Sequence, residues 1–344
     1  MGKMNIKKIS ELAGVSTSAV SFVLNNKKGV SEETRNKVLD IIRRENYIPN
    51  VNSRRLILKR SFNIVLVLDN NITKLNNLFY TAVINAIVEK ASNLGYSVVL
   101  SLKSESFDKS PFLHSIKQGN ADGIILLRDI GSEDVHELNK LKIPYVVIDS
   151  HKIDPKYVSV RSNIEVASYV ATKHLISCGH KDIGFIGMRK IPDFYISSFN
   201  GYKKALSENS LSFSPDWIQD DAYDETSAYN CMKNILDSAK HPTAVFCAGD
   251  IFAIGSMNCS YDMGYKVPDD ISFCAIDDII ISKYCSPKLT TVTLNKAEMG
   301  EKAVEILDAQ INNKPFEKMH MVKSDEIIIR DSVRDFTKEI SPHQ

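Results

Sequence analysis

Thr17, Ser18, Ser21, Phe22 and Asn25 recur at the spacing of one helical face, and Ser16 stands where it can cap that helix. Hydroxyls and a carboxamide both donate and accept hydrogen bonds, and a phenyl ring offers apolar contact. Such a short-armed, mixed face suits the edges of nucleotide bases in a major groove. Bond-breaking chemistry has no comparable set of residues. The sequence contains no G-x-G-x-x-G, no P-loop, no G-x-S-x-G elbow and no H-E-x-x-H pair. The stretch from Asp182 to Gly187 has glycines without phosphate-loop spacing and reads as a strand entering a loop. His174 and His180 flank Gly179, which breaks the helix between them, so they share no metal-binding face. Cys178, Cys231, Cys247, Cys259, Cys274 and Cys285 are scattered without a C-x-x-C pair and read as reduced, buried thiols. The expectation is a binding protein and not an enzyme, with no metal and no cofactor.

The elements that must present the polar face are equally local. Ile6, Ile9, Leu12 and Ala13 form a first amphipathic helix, and Gly14 tolerates the positive φ that stops it and turns the chain. In the second helix Val20, Val23 and Leu24 make the inward stripe. A third helix begins at Ser31, with Glu32 and Glu33 at its positive end and Val38, Ile41 and Ile42 on its apolar face. It ends near Tyr47–Asn50. Helix, glycine turn and polar-faced helix make a helix-turn-helix, although a generic three-helix bundle shares the periodicity.

Charge separates this segment from the rest. The 344 residues carry a net charge of only +1, yet residues 1–60 hold 13 Lys and Arg against 5 Asp and Glu. The remaining chain holds 30 against 37 and is acidic. A short, basic, helical segment suits a phosphate backbone as partner. The start has no apolar run of a secretory signal and no stretch approaches bilayer-spanning length, so the expected location is the cytoplasm, away from membranes.

The run AGVSTSAVSFVLNNKKGVSEETRNKVLDIIRRENYIPN resembles the DNA-binding domain of the lac repressor/galactose repressor (LacI/GalR) family. The match holds at Ala13–Ser16, Val20, Ser21, Val23–Asn25, Val30, Ser31, Thr34, Arg35, Lys37, Val38 and Tyr47–Asn50. It implies contacts to operator DNA from Ser16, Thr17, Ser18, Ser21, Phe22, Asn25, Tyr47 and Asn50. It also implies a hinge over 51–61, where Arg54 reaches the DNA and Leu56 stands at the position of a leucine wedged into the minor groove. Phe22 departs from the arginine usual in the family. Either its ring meets a thymine methyl and shifts the preferred half-site, or it folds onto the domain surface and reads nothing.

From about Phe62 onward apolar, strand-like runs alternate with amphipathic helices, the pattern of parallel sheets covered on both faces. The runs are Asn63–Leu68, Ser97–Leu102, Gly123–Leu127, Tyr145–Ile148, Ile183–Ile186, Ala244–Cys247, Ser272–Ile276 and Glu326–Ile329, with helices including Tyr80–Leu94, Glu165–Cys178, Asn200–Glu208 and Lys296–Gln310. The phrases ATKHLISCGHKDIGFIG, PTAVFCAGD, GYKVPDDISFCAIDD and PKLTTV are similar to those of the family's effector-binding core. The resemblance implies an α/β fold: a three-helix helix-turn-helix domain over 1–50 and a two-lobed core resembling periplasmic binding proteins over 62–344. The N-terminal lobe would take about 62–161 and 293–323, and the C-terminal lobe about 162–292 and 324–340. Crossovers are expected near Val160–Asn163, near Thr290–Leu294 and before Glu326.

By the same resemblance Phe79, Asp149, Asn163, Ser198, Tyr223, Asp250 and Asp277 occupy effector-binding positions. Carboxylates at strand ends serve equally well as helix caps. Three positions depart from the family: Ser198 replaces a cleft arginine, Gly249 an asparagine, and Ser162-Asn163-Ile164 a V-D-N phrase. Polar handles are thus missing together, which favours an unusual or more apolar effector over a protein signal or a core without a small ligand. The implied partners are double-stranded operator DNA, a second copy in a homodimer, and a small-molecule effector. A solute-binding protein without DNA function shares the core but not the basic helix-turn-helix.

Overall fold

The computed structural model describes residues 4–24, 28–45, 60–68, 76–103, 111–128, 132–149 and 157–338. The chain forms two compact units, residues 1–62 and 63–344.

In the first unit α1 (Ile6–Ala13), α2 (Thr17–Leu24) and α3 (Glu32–Arg44) enclose Ile9, Ala13, Val20, Val23, Val38 and Ile41. Each helix starts on a side-chain cap: the side-chain oxygens of Asn5, Ser16 and Ser31 accept from the backbone N–H groups of Lys8, Ala19 and Thr34. Gly14 ends α1 at φ 65°, and its N–H donates to the Glu11 and Ser10 carbonyls. An L-residue there would cost the turn. Leu12, expected inward, is instead exposed, because six small or β-branched side chains already fill so short a core.

The second unit holds two six-stranded sheets. The first has the order β11-β5-β4-β3-β1-β2, from β1 (Asn63–Leu68), β2 (Ser97–Leu102), β3 (Gly123–Leu127), β4 (Tyr145–Ile148), β5 (Ser159–Ser162) and β11 (Met319–Val322). The second has the order β12-β10-β9-β8-β6-β7, from β6 (Ile183–Ile186), β7 (Ile218–Gln219), β8 (Ala244–Cys247), β9 (Ser272–Asp277), β10 (Thr290–Thr293) and β12 (Ile327–Ile328). All pairings are parallel except β10 with β12. Strands β1, β3, β4, β6 and β8 are buried almost throughout, which is why their sequences are continuous apolar runs.

Helices α4 (Leu78–Asn93), α5 (Pro111–Lys117), α6 (Ser132–Lys140), α7 (Ile164–Ser177), α8 (Pro192–Glu208), α9 (Glu225–Leu236), α10 (Asp250–Asp262) and α11 (Lys296–Ile311) connect the strands. α4 and α11 pack together on the first sheet, α7 and α8 together, and α9 and α10 together. α8 begins eight residues before the expected Asn200, because Pro192 sits at its first turn, where a missing N–H costs nothing. The chain leaves the first sheet after β5, returns to it after β10 through α11, and leaves again after β11. Strands β5 and β10 are not apparent as apolar runs because they carry buried serines and threonines, Ser159, Thr290 and Thr291 among them, whereas β11 is an edge strand interrupted by His320 with only Val322 buried. All six cysteines are free, five of them buried.

Candidate nucleic-acid interface and effector cleft

The polar face of α2 points outward: Ser16, Thr17 and Ser18 are exposed and Ser21 is half-buried. Phe22 is 38% exposed, but one edge of its ring lies on the turn before α3, where a methyl placed on Gly29 would meet it at 3.4 Å. Gly29 has φ +111°, a conformation that strains any L side chain, and the Phe22 ring covers it at ordinary contact distance. Phe22 therefore anchors the turn with one edge and shows the other to the outside. Asn25, Tyr47, Asn50, Arg54 and Leu56 lie outside the described residues.

A cleft of about 670 Å³ opens in the second unit, at the carboxyl ends of strands from both sheets. Arg128 follows β3, Asp149 follows β4, Met188 and Gly249 lie just beyond β6 and β8, and Asp277 ends β9. This is where parallel sheets place ligands, because the strand ends and following loops converge there. Four of the eight described non-glycine residues with positive φ cluster at these ends: Arg128 (72°), Asp149 (60°), Asp277 (124°) and Asp278 (52°). Such conformations cost about 1–3 kcal/mol each and gather where a site is held in a set geometry.

Of the expected effector residues, Phe79, Asp149, Tyr223 and Asp277 line the cleft. Asp149 accepts a 2.5 Å hydrogen bond from the Tyr80 hydroxyl. Burial and then the Asp149 charge push the Tyr80 pKa well up, so the phenol stays a donor. Burial, followed by the neighbouring Asp250 and Asp149 charges, likewise raises the Asp277 carboxyl well above the usual range against the pull of Lys296. The exposed Tyr223 ring carries the Lys190 ammonium 5.3 Å from its centre.

Three expected residues do not reach the cleft. Asn163 caps α7, its side chain accepting from Val166 N. Ser198 is fully buried and donates to the Tyr195 carbonyl one turn earlier at 3.0 Å, because α8 turns that face onto its neighbours. Asp250 is fully buried under the loop after β9: it accepts from Ile279 N at 2.9 Å, from Thr291 Oγ1 at 2.5 Å and from the Ser282 hydroxyl. Its strand-end position is that of a binding aspartate, but the returning loop consumes the carboxylate.

The cleft has polar lining beyond the expected residues. Tyr80, Arg128, Asn76, Asn77 and Lys190 supply polar groups that no family phrase indicates. Arg128 had a readable signal, since it is the residue immediately after a buried parallel strand. Tyr80 had none beyond its place beside Phe79. Aromatic and aliphatic walls from Phe79, Phe194, Phe252 and Leu294 complete a site for a ligand with both an apolar face and hydrogen-bonding edges.

A helix-turn-helix joined to a two-lobed core of parallel sheets with a strand-end cleft defines a DNA-binding regulator with a ligand-binding core. Residues 5–50 match the model of bacterial regulatory proteins of the lacI family, and residues 172–333 match the periplasmic binding protein-like domain. The HTH-type transcriptional repressor PurR of Mannheimia succiniciproducens is 31% identical over 332 residues, covering 96% of this chain and 98% of the relative. PurR of Pasteurella multocida is 32% identical over 332 residues, with the same coverage of 96% and 98%. The fold is similar to that of the lac repressor dimer bound to operator and the anti-inducer ONPF, with a TM-score of 0.81, 24% identity and coverage of 96% and 99%. The chain belongs to the lacI family of bacterial regulatory proteins. It is a transcriptional regulator and not an enzyme, and no helix among the described residues is long and apolar enough to cross a membrane.

Proposed function

We propose that this regulator is a cytoplasmic repressor that binds a pseudo-palindromic operator as a homodimer, and that a small molecule in the cleft modulates its grip. The observation that carries the reading is the exposed face of Ser16, Thr17, Ser18 and Phe22 on α2, in the basic sixty residues of an otherwise acidic chain. A second copy accounts for the edge strand β2, whose Val99, Leu100 and Leu102 are exposed, together with Val88 and Leu94 nearby in sequence. Two-fold symmetry then demands two half-sites. The lobe boundaries of the sequence reading and the hinge over 51–61, with Leu56 as minor-groove wedge, belong to this proposal. Ligand-driven movement of the lobes would order or release that hinge.

Operator selection on the wild type and Phe22→Arg tests the DNA half. We expect both to bind, with a different preferred base at one position of each half-site, because arginine reads guanine where phenylalanine meets a thymine methyl. Identical preferred sequences would place Phe22 wholly in the turn over Gly29. A thermal-shift screen over sugars, phosphosugars, nucleobases and amino acids tests the effector half. A ligand that stabilises the wild type should bind about twofold to tenfold more weakly to Asp277→Asn and Asp149→Asn, in line with about 0.5–1.5 kcal/mol for a hydrogen bond. Equal stabilisation of all three proteins would move the ligand elsewhere.

A further inference from the structure

One half-buried cation touches both walls of the cleft and the crossover between them. Lys296 is the first residue of α11, directly after the crossover that carries the chain from the second sheet back to the first. Its ammonium donates to the carbonyl of Leu294 at 3.1 Å and to the carbonyl of Asp277. It also lies 5.7 Å from the centre of the Phe79 ring. Asp277 is cleft wall at the end of β9 in one lobe, Phe79 is cleft wall in the first turn of α4 in the other, and Leu294 lines the cleft from the crossover itself. No two of these three cleft residues share a secondary-structure element.

Helix preference does not account for a lysine here. The first turn of a helix is its positive end, where a cation is disfavoured. The neighbouring Asn295 already caps α11 by accepting from Glu298 N, so the ammonium is not needed as a cap. Burial disfavours the charge further and pulls the Lys296 pKa down, while Asp277, Asp250 and Asp278 hold it up. A residue that breaks a local rule in this way must be held by tertiary contacts, and its contacts are the cleft walls.

We propose that Lys296 is a positioning residue that latches the two lobes across the crossover and couples the occupancy of the cleft to lobe position. The inference rests on the cleft being the effector site and adds the device by which either wall reports to the hinge between lobes. A ligand that displaces the Phe79 ring or draws on Asp277 alters the ammonium's contacts on the opposite lobe. The coupling then passes into α11, which packs along α4. Two discrete arrangements of one ammonium suffice to bias a lobe equilibrium.

The test uses the ligand-free full chain, so it is independent of whether any effector is found. Hydrogen exchange is followed in the wild type, Lys296→Met and Lys296→Arg, with Glu301→Gln as a control on the exposed face of α11. Lys296→Met keeps the aliphatic stem and loses the donors. We expect at least tenfold faster exchange in Lys296→Met at both walls, residues 79–83 and 277–282, with unchanged exchange in β3 and β8. Lys296→Arg should restore most of the protection, and the control should leave both walls as in the wild type. Faster exchange confined to 294–299 would reduce Lys296 to a local feature of α11. Faster exchange throughout both sheets would make it an ordinary stability residue. Either result overturns the latch and leaves the effector site standing, whereas failure of the ligand screen removes the effector site without altering these exchange rates.

Discussion

Raising salt from about 50 to about 200 mM should weaken operator binding by about 10³–10⁵-fold, if the homodimer makes 6–10 phosphate contacts. The effect follows from counterion release: each neutralised phosphate frees a condensed cation, and log affinity falls with log salt at about 0.9 per contact. The charge map makes that number of contacts reasonable. Residues 1–60 hold 13 Lys and Arg, so a dimer needs to use fewer than half of them on phosphates. The rest of the chain, with 37 acidic against 30 basic residues, cannot share the task. It repels DNA, which confines binding to the basic unit and steepens the contrast between operator and accidental contact. Fluorescence anisotropy on a palindromic promoter fragment at several salt concentrations reads the slope directly. A flat salt dependence, or no binding to any such fragment, would remove the repressor reading. Substitution of surface lysines in the second unit should leave the slope unchanged.

The helix-turn-helix was legible in the sequence because every determinant is local. Ser16 and Ser31 start their helices, Gly14 turns the chain, and Val20 and Val23 point inward, all within three or four residues of the elements they define. The strands at the centre of each sheet were legible for a different reason. Burial on both faces makes β1, β3 and β8 unbroken apolar runs. Strands β5 and β10 were not, because Ser159, Thr290 and Thr291 are buried by ladder partners that come from distant sequence. The cleft was half legible. Asp149 and Asp277 end strands and face the opening, as a resemblance to binding proteins implies. Asp250 sits equally at a strand end, yet only the return of residues 279–291 decides that its carboxylate is consumed. Lys296 has no sequence signal at all, since its meaning lies in three contacts made by separate elements.

That buried carboxylate should produce one of the largest stability effects of any side chain in the core. Asp250→Ala strands three donors at once: Ile279 N, Ser282 Oγ and Thr291 Oγ1. Unsatisfied buried donors cost about 1–3 kcal/mol each, and broken buried networks about 3–5 kcal/mol in total, so the variant should lose about 3–5 kcal/mol. The charge itself is a separate matter. Burial raises the Asp250 pKa to about 6 even though all three hydrogen bonds favour the carboxylate. The folded state therefore binds more protons than the unfolded chain between the ordinary value of 3.8 and about 6, and this group's contribution declines as pH rises through that window. Asp250→Asn removes the charge and keeps an acceptor, so at neutral pH it should cost about 1 kcal/mol or less. It should also abolish that part of the pH dependence. Trp217, the only tryptophan, is buried beside the second sheet and reports unfolding of the core by its fluorescence in urea. A loss below about 1 kcal/mol in Asp250→Ala would mean that the loop after β9 finds other acceptors. Since that loop carries Ile279 into the cleft directly after Asp277, the same result would also weaken the view that Asp250 builds the binding wall from behind.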